Sequence, residues 1–273
     1  MRRGFLILST FTTLSSRAFA TVRCLNPSLS LKLNIPLSTD SAFGDSILQQ
    51  SELNNALEIL DPAVSDRPFS IDFCTKSVAE RLRGSRGELV VKALGHADRL
   101  IDLTAGLGRD AVILAASGNF KHVLMVERNV ILYHLLDDAL QRLKICNPSL
   151  AERIQTLMHG DASLSSTADH LMAPDTSTAV YLDPMYPDNT VGRRSMVKKE
   201  TQILHRLNDD KTLPSEKINN AALFATAKRL ATSRIVVKRP KAAPPIDISE
   251  GPSFSIDGST QRFDVYLQTM KQV

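Results

Sequence analysis

The stretch RLIDLTAGLGRDAVILAASG, residues 99–118, decides the fold. Its first half is an apolar run that leads into a loop with two glycines. Its second half has apolar residues at helical spacing and ends at Gly118. A buried strand joined to a helix by a glycine loop is the first unit of many parallel sheets. The stretch therefore predicts an α/β fold.

The segments that follow repeat this alternation of strand and helix. Further strands are predicted in HVLMVERN, RIQTLMHGDA, TAVYLDPM and RIVVKRP, with helices between them that include two around residues 195–208 and 215–232. The chain closes with FSID and RFDVYLQT, joined as a hairpin by the turn DGSTQ. Continuous apolar strands that alternate with helices are typical of doubly wound sheets. The sequence predicts a Rossmann-like, mostly parallel doubly wound sheet with an antiparallel C-terminal edge.

The chain before this sheet has a different composition. Residues 1–20 contain Arg2, Arg3 and Arg17 but no acidic residue, and they fit a secretory signal, an organellar transit peptide or a disordered extension. Without these arginines the formal net charge falls from +4 to about +1, so bulk charge is weak evidence for nucleic-acid binding. Residues 21–75 are polar and contain prolines, which predicts a small N-terminal subdomain ahead of a main domain over residues 76–273.

Cysteine and histidine spacing argues against a disulfide framework and a metal site. Cys24, Cys74 and Cys146 are odd in number and far apart, which predicts reduced thiols. The histidines show no ligand spacing, so no metal is predicted. No apolar run reaches the roughly 20 residues that span a bilayer.

The glycine loop DLTAGLGRDA fits the pattern G-x-G-x-x-A, which brings a ligand close to the backbone at a strand end. Asp102 lies four residues before Gly106 and would repel a pyrophosphate, but it suits a ligand with an ammonium group. The second strand ends at Glu127, whose carboxylate can accept both hydroxyls of a ribose. An amino-acid tail and a ribose without phosphate describe S-adenosylmethionine. A purely structural turn is the alternative.

The third strand ends in HGDAS. Asp161 is predicted to accept a hydrogen bond from the adenine amine, with Ala162 against the ring. The alternative is that Asp161 caps the next helix.

The fourth strand ends in YLDPMYPDN. Asp183 lies at the strand tip, Pro184 restricts the backbone and Tyr186 supplies an aromatic face. Together they predict a grip on a planar base: the carboxylate or a neighbouring carbonyl accepts an N–H of its exocyclic amine, and the ring stacks on the tyrosine. A proline-rich turn held by an Asx-type hydrogen bond is the alternative.

The motifs DLTAGLGRDA, VERN, YLDPMYP, MVKKE, VVKRP and QRFDVY, in this order and spacing, resemble the small-subunit ribosomal RNA methyltransferase J family. The resemblance covers the chain from about residue 70 onward. It implies a class I methyltransferase fold and methyl transfer from S-adenosylmethionine to the exocyclic N2 of a guanosine in 16S rRNA. The cofactor contacts that it implies, beside Asp102, Gly106 and Gly108, are Arg109, Asp110, Glu127, Arg128, Asp161, Ala162 and Asp183. This sequence departs from the family at Asp161 and Ala162, where two serines are common, and at Tyr186, where phenylalanine is frequent.

Basic residues form three local clusters. The first contains Arg81, Arg83 and Arg86, the second Arg193, Arg194, Lys198 and Lys199, and the third Arg234, Lys238, Arg239 and Lys241. The second and third flank the predicted crevice, so they are predicted to bind RNA phosphates, with Lys238 and Arg239 representing the third. Solvated helix faces are the alternative reading for every cluster.

Several functions remain open from the sequence. An adenine-N6 methyltransferase shares the Asp-Pro-x-Tyr motif, an NAD-dependent dehydrogenase shares the glycine loop, and a relative that binds RNA without catalysis is a third alternative. The predicted partner is small-subunit rRNA or an assembling small subunit. An rRNA enzyme is not secreted. It would be cytoplasmic in a bacterium, and in a plastid or mitochondrion if residues 1–20 are a eukaryotic presequence.

Overall fold

The computed structural model describes residues 22–24, 28–29, 33, 46–173, 176–185, 199–208 and 216–268. A seven-stranded sheet organises most of them, in the order β6-β5-β4-β7-β8-β10-β9. Its strands are β4 (Ala97–Asp102), β5 (Phe120–Glu127), β6 (Ile154–His159), β7 (Thr178–Leu182), β8 (Arg234–Pro240), β9 (Phe254–Asp257) and β10 (Gln261–Leu267).

The sheet confirms the predicted topology. Strands β6, β5, β4, β7 and β8 pair in parallel, whereas β10 pairs antiparallel with both β8 and β9. The order reverses between β4 and β7, because β4 is followed along the chain by β5 on one side of the pair and β7 by β8 on the other side. Ligands of open α/β sheets bind at such a switch point, beyond the carboxyl ends of the strands.

Helices connect the parallel strands, as the sequence predicts, and two further helices precede β4. They are α1 (Lys76–Arg83), α2 (Leu89–Leu94), α3 (Arg109–Ser117), α4 (Val130–Cys146), α5 (Pro148–Ala151), α6 (Ser165–Leu171), α7 (Lys199–Asn208) and α8 (Glu216–Leu230). Sequence chemistry sets their ends locally. Asn129, for example, caps α4 by accepting hydrogen bonds from the N–H groups of Ile131 and Leu132 at 2.9 and 3.1 Å.

Both faces of the sheet are buried. Successive residues of a strand point to opposite faces, so Leu100 joins one apolar cluster and Ile101 joins the other. The first cluster contains α2, α3 and α4, and the second contains α6 and α8. Burial on both faces explains why these strands read as continuous apolar runs.

A second, three-stranded sheet lies in the N-terminal part. It consists of β1 (Val22–Cys24), β2 (Ser46–Gln50) and β3 (Leu57–Leu60), in that order. Leu48, Leu57 and Ile59 belong to the same apolar cluster as α4, so this small sheet shares the core of the large one. The domain boundary near residue 75 therefore stays a prediction.

The prediction of reduced thiols is wrong for two cysteines. Cys74 and Cys146 form a disulfide across a sequence separation of 72 residues. The fold brings the two cysteines together, because Cys74, two residues ahead of α1, lies beside Cys146, the last residue of α4. Arg142 holds the same junction by pairing with Asp72 at 3.2 Å and with Asp138 at 3.0 Å. Within the described ranges, no helix is long and apolar enough to cross a membrane.

Candidate active site

The carboxyl ends of β4, β5 and β7 open into one cavity of about 1110 Å³. Each strand ends in or just before an acidic residue that lines the cavity: Asp102, Glu127 and Asp183. Asp161 and Ala162, which follow β6, line it as well. The structure thus brings the predicted strand-tip residues together at the switch point of the sheet.

The glycine loop after β4 depends on two left-handed backbone conformations. Gly106 and Gly108 have φ angles of 53° and 69°, which other residues rarely adopt. A Cβ atom on Gly108 would lie 2.6 Å from Cδ1 of Leu136, so this glycine also allows the loop to pack closely on α4. At Gly106 the nearest neighbour of such an atom, beyond the two adjoining residues, is the Thr104 carbonyl oxygen at 3.8 Å.

Glu127 fixes the loop to the neighbouring strand. Its two carboxylate oxygens accept the backbone N–H groups of Gly106 at 2.7 Å and Asn129 at 2.8 Å. Burial raises the pKa of this carboxyl group, and the two backbone hydrogen bonds oppose the rise. Each oxygen has a second lone pair, so the group can also accept hydroxyl donors of a ligand in the cavity.

Asp102 is the most deeply buried of these acids, with 2% of its surface exposed. Burial raises its pKa to about 8, against the hydrogen bond from the Thr104 backbone N–H and together with the nearby charges of Asp110, Asp183 and Glu127. A ligand ammonium beside it would favour the charged carboxylate, which is what the tail of an amino acid supplies.

Thr104 connects Asp102 with Asp183. Its backbone N–H and hydroxyl lie 3.0 and 3.4 Å from Oδ1 of Asp102. The same hydroxyl oxygen accepts the backbone N–H of Asp183 at 2.7 Å. One side chain therefore spans the two strand tips.

Asp183 belongs to a charged group that the sequence analysis did not anticipate. Lys238, at the end of β8, donates from Nζ to Oδ2 of Asp183 at 2.8 Å and to Oδ2 of Asp110 at 3.1 Å. The hydroxyl of Tyr181 donates to the same Asp110 oxygen at 2.7 Å. Burial raises the pKa of Asp183, and Lys238 is the largest opposing influence.

This geometry corrects the predicted RNA-binding roles of Lys238 and Arg239. The ammonium of Lys238 is held between two carboxylates instead of facing a phosphate. Arg239 is 2% exposed, and its guanidinium donates to the carbonyl oxygen of Pro244. Consecutive residues of a strand point to opposite faces of the sheet, and both faces of β8 are packed against other elements. A run of basic residues in this strand therefore does not form a basic surface.

Asp161 forms a local turn instead of a helix cap. Its Oδ1 accepts the backbone N–H and hydroxyl of Ser163 at 2.8 and 2.7 Å, whereas α6 begins at Ser165 without a side-chain cap. The capping alternative is therefore wrong. The role in adenine binding stays a prediction, and the buried Ala162 beside it offers the small apolar surface that it needs.

Arginines form part of the cavity wall. Arg109 pairs with Glu200 at 2.8 Å and Arg81 pairs with Glu88 at 2.9 Å, and about half of each arginine side chain is exposed. Arg128 also lines the cavity. The first basic cluster therefore reaches the site through Arg81, whereas Arg86 donates to the carbonyl oxygen of Ser117.

The second basic cluster is only partly described. Lys199 begins α7, and its Nζ lies 3.0 Å from the hydroxyl of Ser65. Four of the predicted site residues lie outside the described part of the chain: Tyr186, Arg193, Arg194 and Lys198.

Sequence reasoning missed Tyr181, Thr104 and the role of Lys238. Two signals pointed to Tyr181 and Lys238: a tyrosine within an otherwise apolar strand, and a lysine at the carboxyl end of another. A buried polar side chain needs a partner, so each polar letter in a core strand indicates a contact beyond the strand.

Comparison with known proteins agrees with this geometry. The protein-family model described as "Putative SAM-dependent methyltransferase" matches residues 31–268. A "Ribosomal RNA small subunit methyltransferase J" from Chromohalobacter salexigens is 38% identical over 212 residues, covering 73% of this chain and 77% of that protein. One of the same name from Pseudomonas paraeruginosa is 36% identical over 86% of this chain and 87% of its own length. The chain belongs to the ribosomal RNA small subunit methyltransferase J family.

A solved structure supports the fold and the class of reaction. The SAM-dependent methyltransferase NGO1261 from Neisseria gonorrhoeae superposes with a TM-score of 0.64 at 26% identity, covering 90% of this chain and 95% of that one. The protein is thus an S-adenosylmethionine-dependent methyltransferase.

The residues of the cavity fit this cofactor. Asp102 offers a carboxylate to an ammonium, Glu127 offers lone pairs to hydroxyl groups, and the absence of a Cβ at Gly106 leaves room beside the loop. Among the residues that the structure describes, no group of three or more His, Cys, Asp or Glu side chains is arranged to hold a metal ion.

Proposed function

We propose that this protein transfers a methyl group from S-adenosylmethionine to the exocyclic N2 of a guanosine in small-subunit ribosomal RNA. The observation that carries the proposal is Asp183 at the tip of β7, in the same cavity as the cofactor residues Asp102 and Glu127. The names of the relatives support RNA of the small subunit as the substrate.

The cofactor half of the cavity consists of β4, β5 and the turn after β6. Asp102 binds the ammonium group of the cofactor, Glu127 binds the ribose, and Asp161 with Ala162 binds the adenine. S-adenosylmethionine supplies an activated methyl group on a positively charged sulfur. The buried carboxylates Asp102 and Glu127 stabilise positive charge in the cavity better than they would in water, because the surrounding protein screens them weakly.

The acceptor half of the cavity is the tip of β7. The new N–C bond would form from the lone pair of the exocyclic nitrogen while the bond between the methyl carbon and the sulfonium sulfur breaks and leaves its electron pair on sulfur. The nitrogen must then lose one proton. Asp183 accepts a hydrogen bond from the amine and takes this proton as the bond forms. Pro184 has a fixed φ angle and disfavours a helical conformation at Asp183, the residue before it. Tyr186 is proposed to stack on the base.

RNA would approach over the rim of the cavity. Arg193, Arg194, Lys198 and Lys199 remain proposed phosphate contacts, and exposed Arg81 on α1 joins them as a rim residue. Such contacts position the RNA without reading its sequence. Bacterial-type ribosomes would have to be assembled in the compartment where the protein works.

The test is methyl transfer from labelled S-adenosylmethionine to undermethylated small-subunit RNA and to assembled subunits, followed by mass spectrometry of the nucleosides. N2-methylguanosine is expected. N6-methyladenosine would overturn the base assignment but not the reaction class. No label on either substrate would overturn the proposal in favour of a different substrate or a binding protein without catalysis.

The matched variants are Asp183→Asn and Asp98→Asn. Asp98 lies at the opposite end of β4 and pairs with Lys121 on the surface, away from the cavity. The first variant should lose at least about a hundredfold in rate, which is the lower end of the usual contribution of a proton acceptor. The second should keep the rate of the unaltered protein.

A further inference from the structure

Lys238 reaches the acceptor half of the cavity from β8, the strand beside β7. Its side chain is 21% exposed, and its ammonium lies 2.8 Å from Asp183 and 3.1 Å from Asp110. Two ion pairs in a partly closed cavity fix the end of a side chain that is otherwise flexible. Lys238 is therefore held in one place relative to the tip of β7.

The second carboxylate is itself fixed. Asp110 lies in the first turn of α3 and accepts the hydroxyl of Tyr181, which is 1% exposed, at 2.7 Å. Tyr181 is two residues ahead of Asp183 on the same strand. The contacts thus form a chain of Tyr181, Asp110, Lys238 and Asp183, which starts and ends at β7.

Within the described part of the chain, Lys238 is the cation that pairs with Asp183. Four ionisable side chains influence Asp183, each from a different element. They are Lys238 on β8, Asp110 on α3, Tyr181 on β7 and Asp102 on β4. Burial lowers the pKa of Lys238, but Asp183 and Asp110 outweigh burial and raise it, so the lysine stays charged. Without that charge, burial and the neighbouring acids would favour the protonated form of Asp183.

A protonated Asp183 could not serve as the acceptor. An ionised carboxylate accepts through both oxygens, whereas the protonated form donates through one of them. Lys238 contacts Oδ2, so the amine of the base would be accepted by Oδ1 of an ionised Asp183.

We propose that Lys238 is a positioning residue of the methyl-transfer reaction, which keeps Asp183 ionised and oriented toward the exocyclic amine of the target base. This role rests on the proposed function, and it replaces the role in phosphate binding that the basic cluster suggested. The ammonium makes no bond to the reacting atoms and keeps its own proton throughout.

The experiment compares Lys238→Met, Lys238→Arg and Asp110→Asn with the unaltered protein. Lys121→Met is the matched control, because Lys121 also pairs with an aspartate, Asp98, at 2.6 Å but is exposed and lies away from the cavity. The rate of methyl transfer is measured from about pH 5.5 to about pH 9, at saturating RNA and cofactor. The KM for RNA is measured at two salt concentrations.

Lys238→Met should lower kcat by at least about tenfold near neutral pH and move the acidic limb of the pH profile to higher pH. Its KM for RNA should stay within about twofold of that of the unaltered protein. Lys238→Arg should recover part of the rate. Asp110→Asn removes a charge that raises the pKa of Asp183, so its acidic limb should move to lower pH.

Four results would overturn the inference. A Lys238→Met variant that is active with an unmoved acidic limb would exclude control of Asp183. A raised and less salt-dependent KM for RNA with unchanged kcat would restore phosphate binding. If Lys238→Met does not fold, Lys238→Gln takes its place, and an unmoved acidic limb in that variant would overturn the inference instead. An unaltered protein that methylates neither RNA nor subunits would overturn the proposed function, and this inference with it.

Discussion

Replacing Gly108 by alanine tests the glycine loop most directly. The substitution adds one methyl group at a φ of 69°, 2.6 Å from Cδ1 of Leu136 and 3.2 Å from Cζ of Phe73. The left-handed conformation costs an L-residue about 1–2 kcal/mol. Overpacking against a buried leucine adds about 1–3 kcal/mol. Gly108→Ala should therefore lower the free energy of unfolding by about 2–5 kcal/mol.

Gly106→Ala is the matched control, because it has the same kind of φ, 53°, without the close contact. It should lose only the conformational part, about 1–2 kcal/mol. Urea unfolding of both variants measures the difference. In the double variant Gly108→Ala, Leu136→Ala, the new methyl group finds space, so its loss should be smaller than the sum of the single losses by about 1–3 kcal/mol. Equal losses at the two glycines, or strict additivity with Leu136, would refute the close packing of the loop on α4.

Three further predictions concern the disulfide and the buried acids. Replacing Cys74 and Cys146 together by serine should lower the free energy of unfolding by roughly 4 kcal/mol, because the disulfide closes a loop across 72 residues. Urea unfolding with and without reductant measures this loss. Reductant should not affect the double variant. For Asp102, whose pKa burial raises to about 8, the folded state binds a proton that the unfolded state has released, so stability should fall as pH rises from about 4 to about 8. Asp102→Asn should flatten that slope in urea unfolding series, and an unchanged slope would assign it to other groups. Glu127→Gln should weaken S-adenosylmethionine binding by at least about tenfold in calorimetry, since it removes a charged hydrogen-bond acceptor, whereas Glu152→Gln on the surface should have no effect.

The parts of the fold that local sequence determines could be predicted. Apolar runs, glycines and helix caps act over a few residues, so the parallel strands and the C-terminal hairpin were found, and so was the gathering of Asp102, Glu127 and Asp183 at one edge of the sheet. The parallel topology explains why these acids lie together, because the carboxyl ends of neighbouring parallel strands lie at the same edge of a sheet.

What the sequence could not show depends on contacts between distant segments. The disulfide joins residues 72 positions apart, and the pairing of Lys238 with Asp110 spans 128. The prediction for the basic cluster at the end of β8 failed because the sequence does not show in which direction each charged side chain points. In the fold, Lys238 points toward the acids of the cavity and Arg239 is buried beside Pro244.

The hydroxyl of Thr104 has a consequence for how the two substrates bind. It touches the acid of the cofactor half, Asp102, and the backbone of the acceptor half, at Asp183. A movement of the end of β4 therefore also moves the end of β7, and the reverse holds. Thermodynamic linkage then requires reciprocity. If bound cofactor raises the affinity for the base by some factor, bound base raises the affinity for the cofactor by the same factor. Efforts to redirect this enzyme to another base by altering the tip of β7 should expect its affinity for the methyl donor to change too, and Thr104 is the residue through which the two would have to be separated.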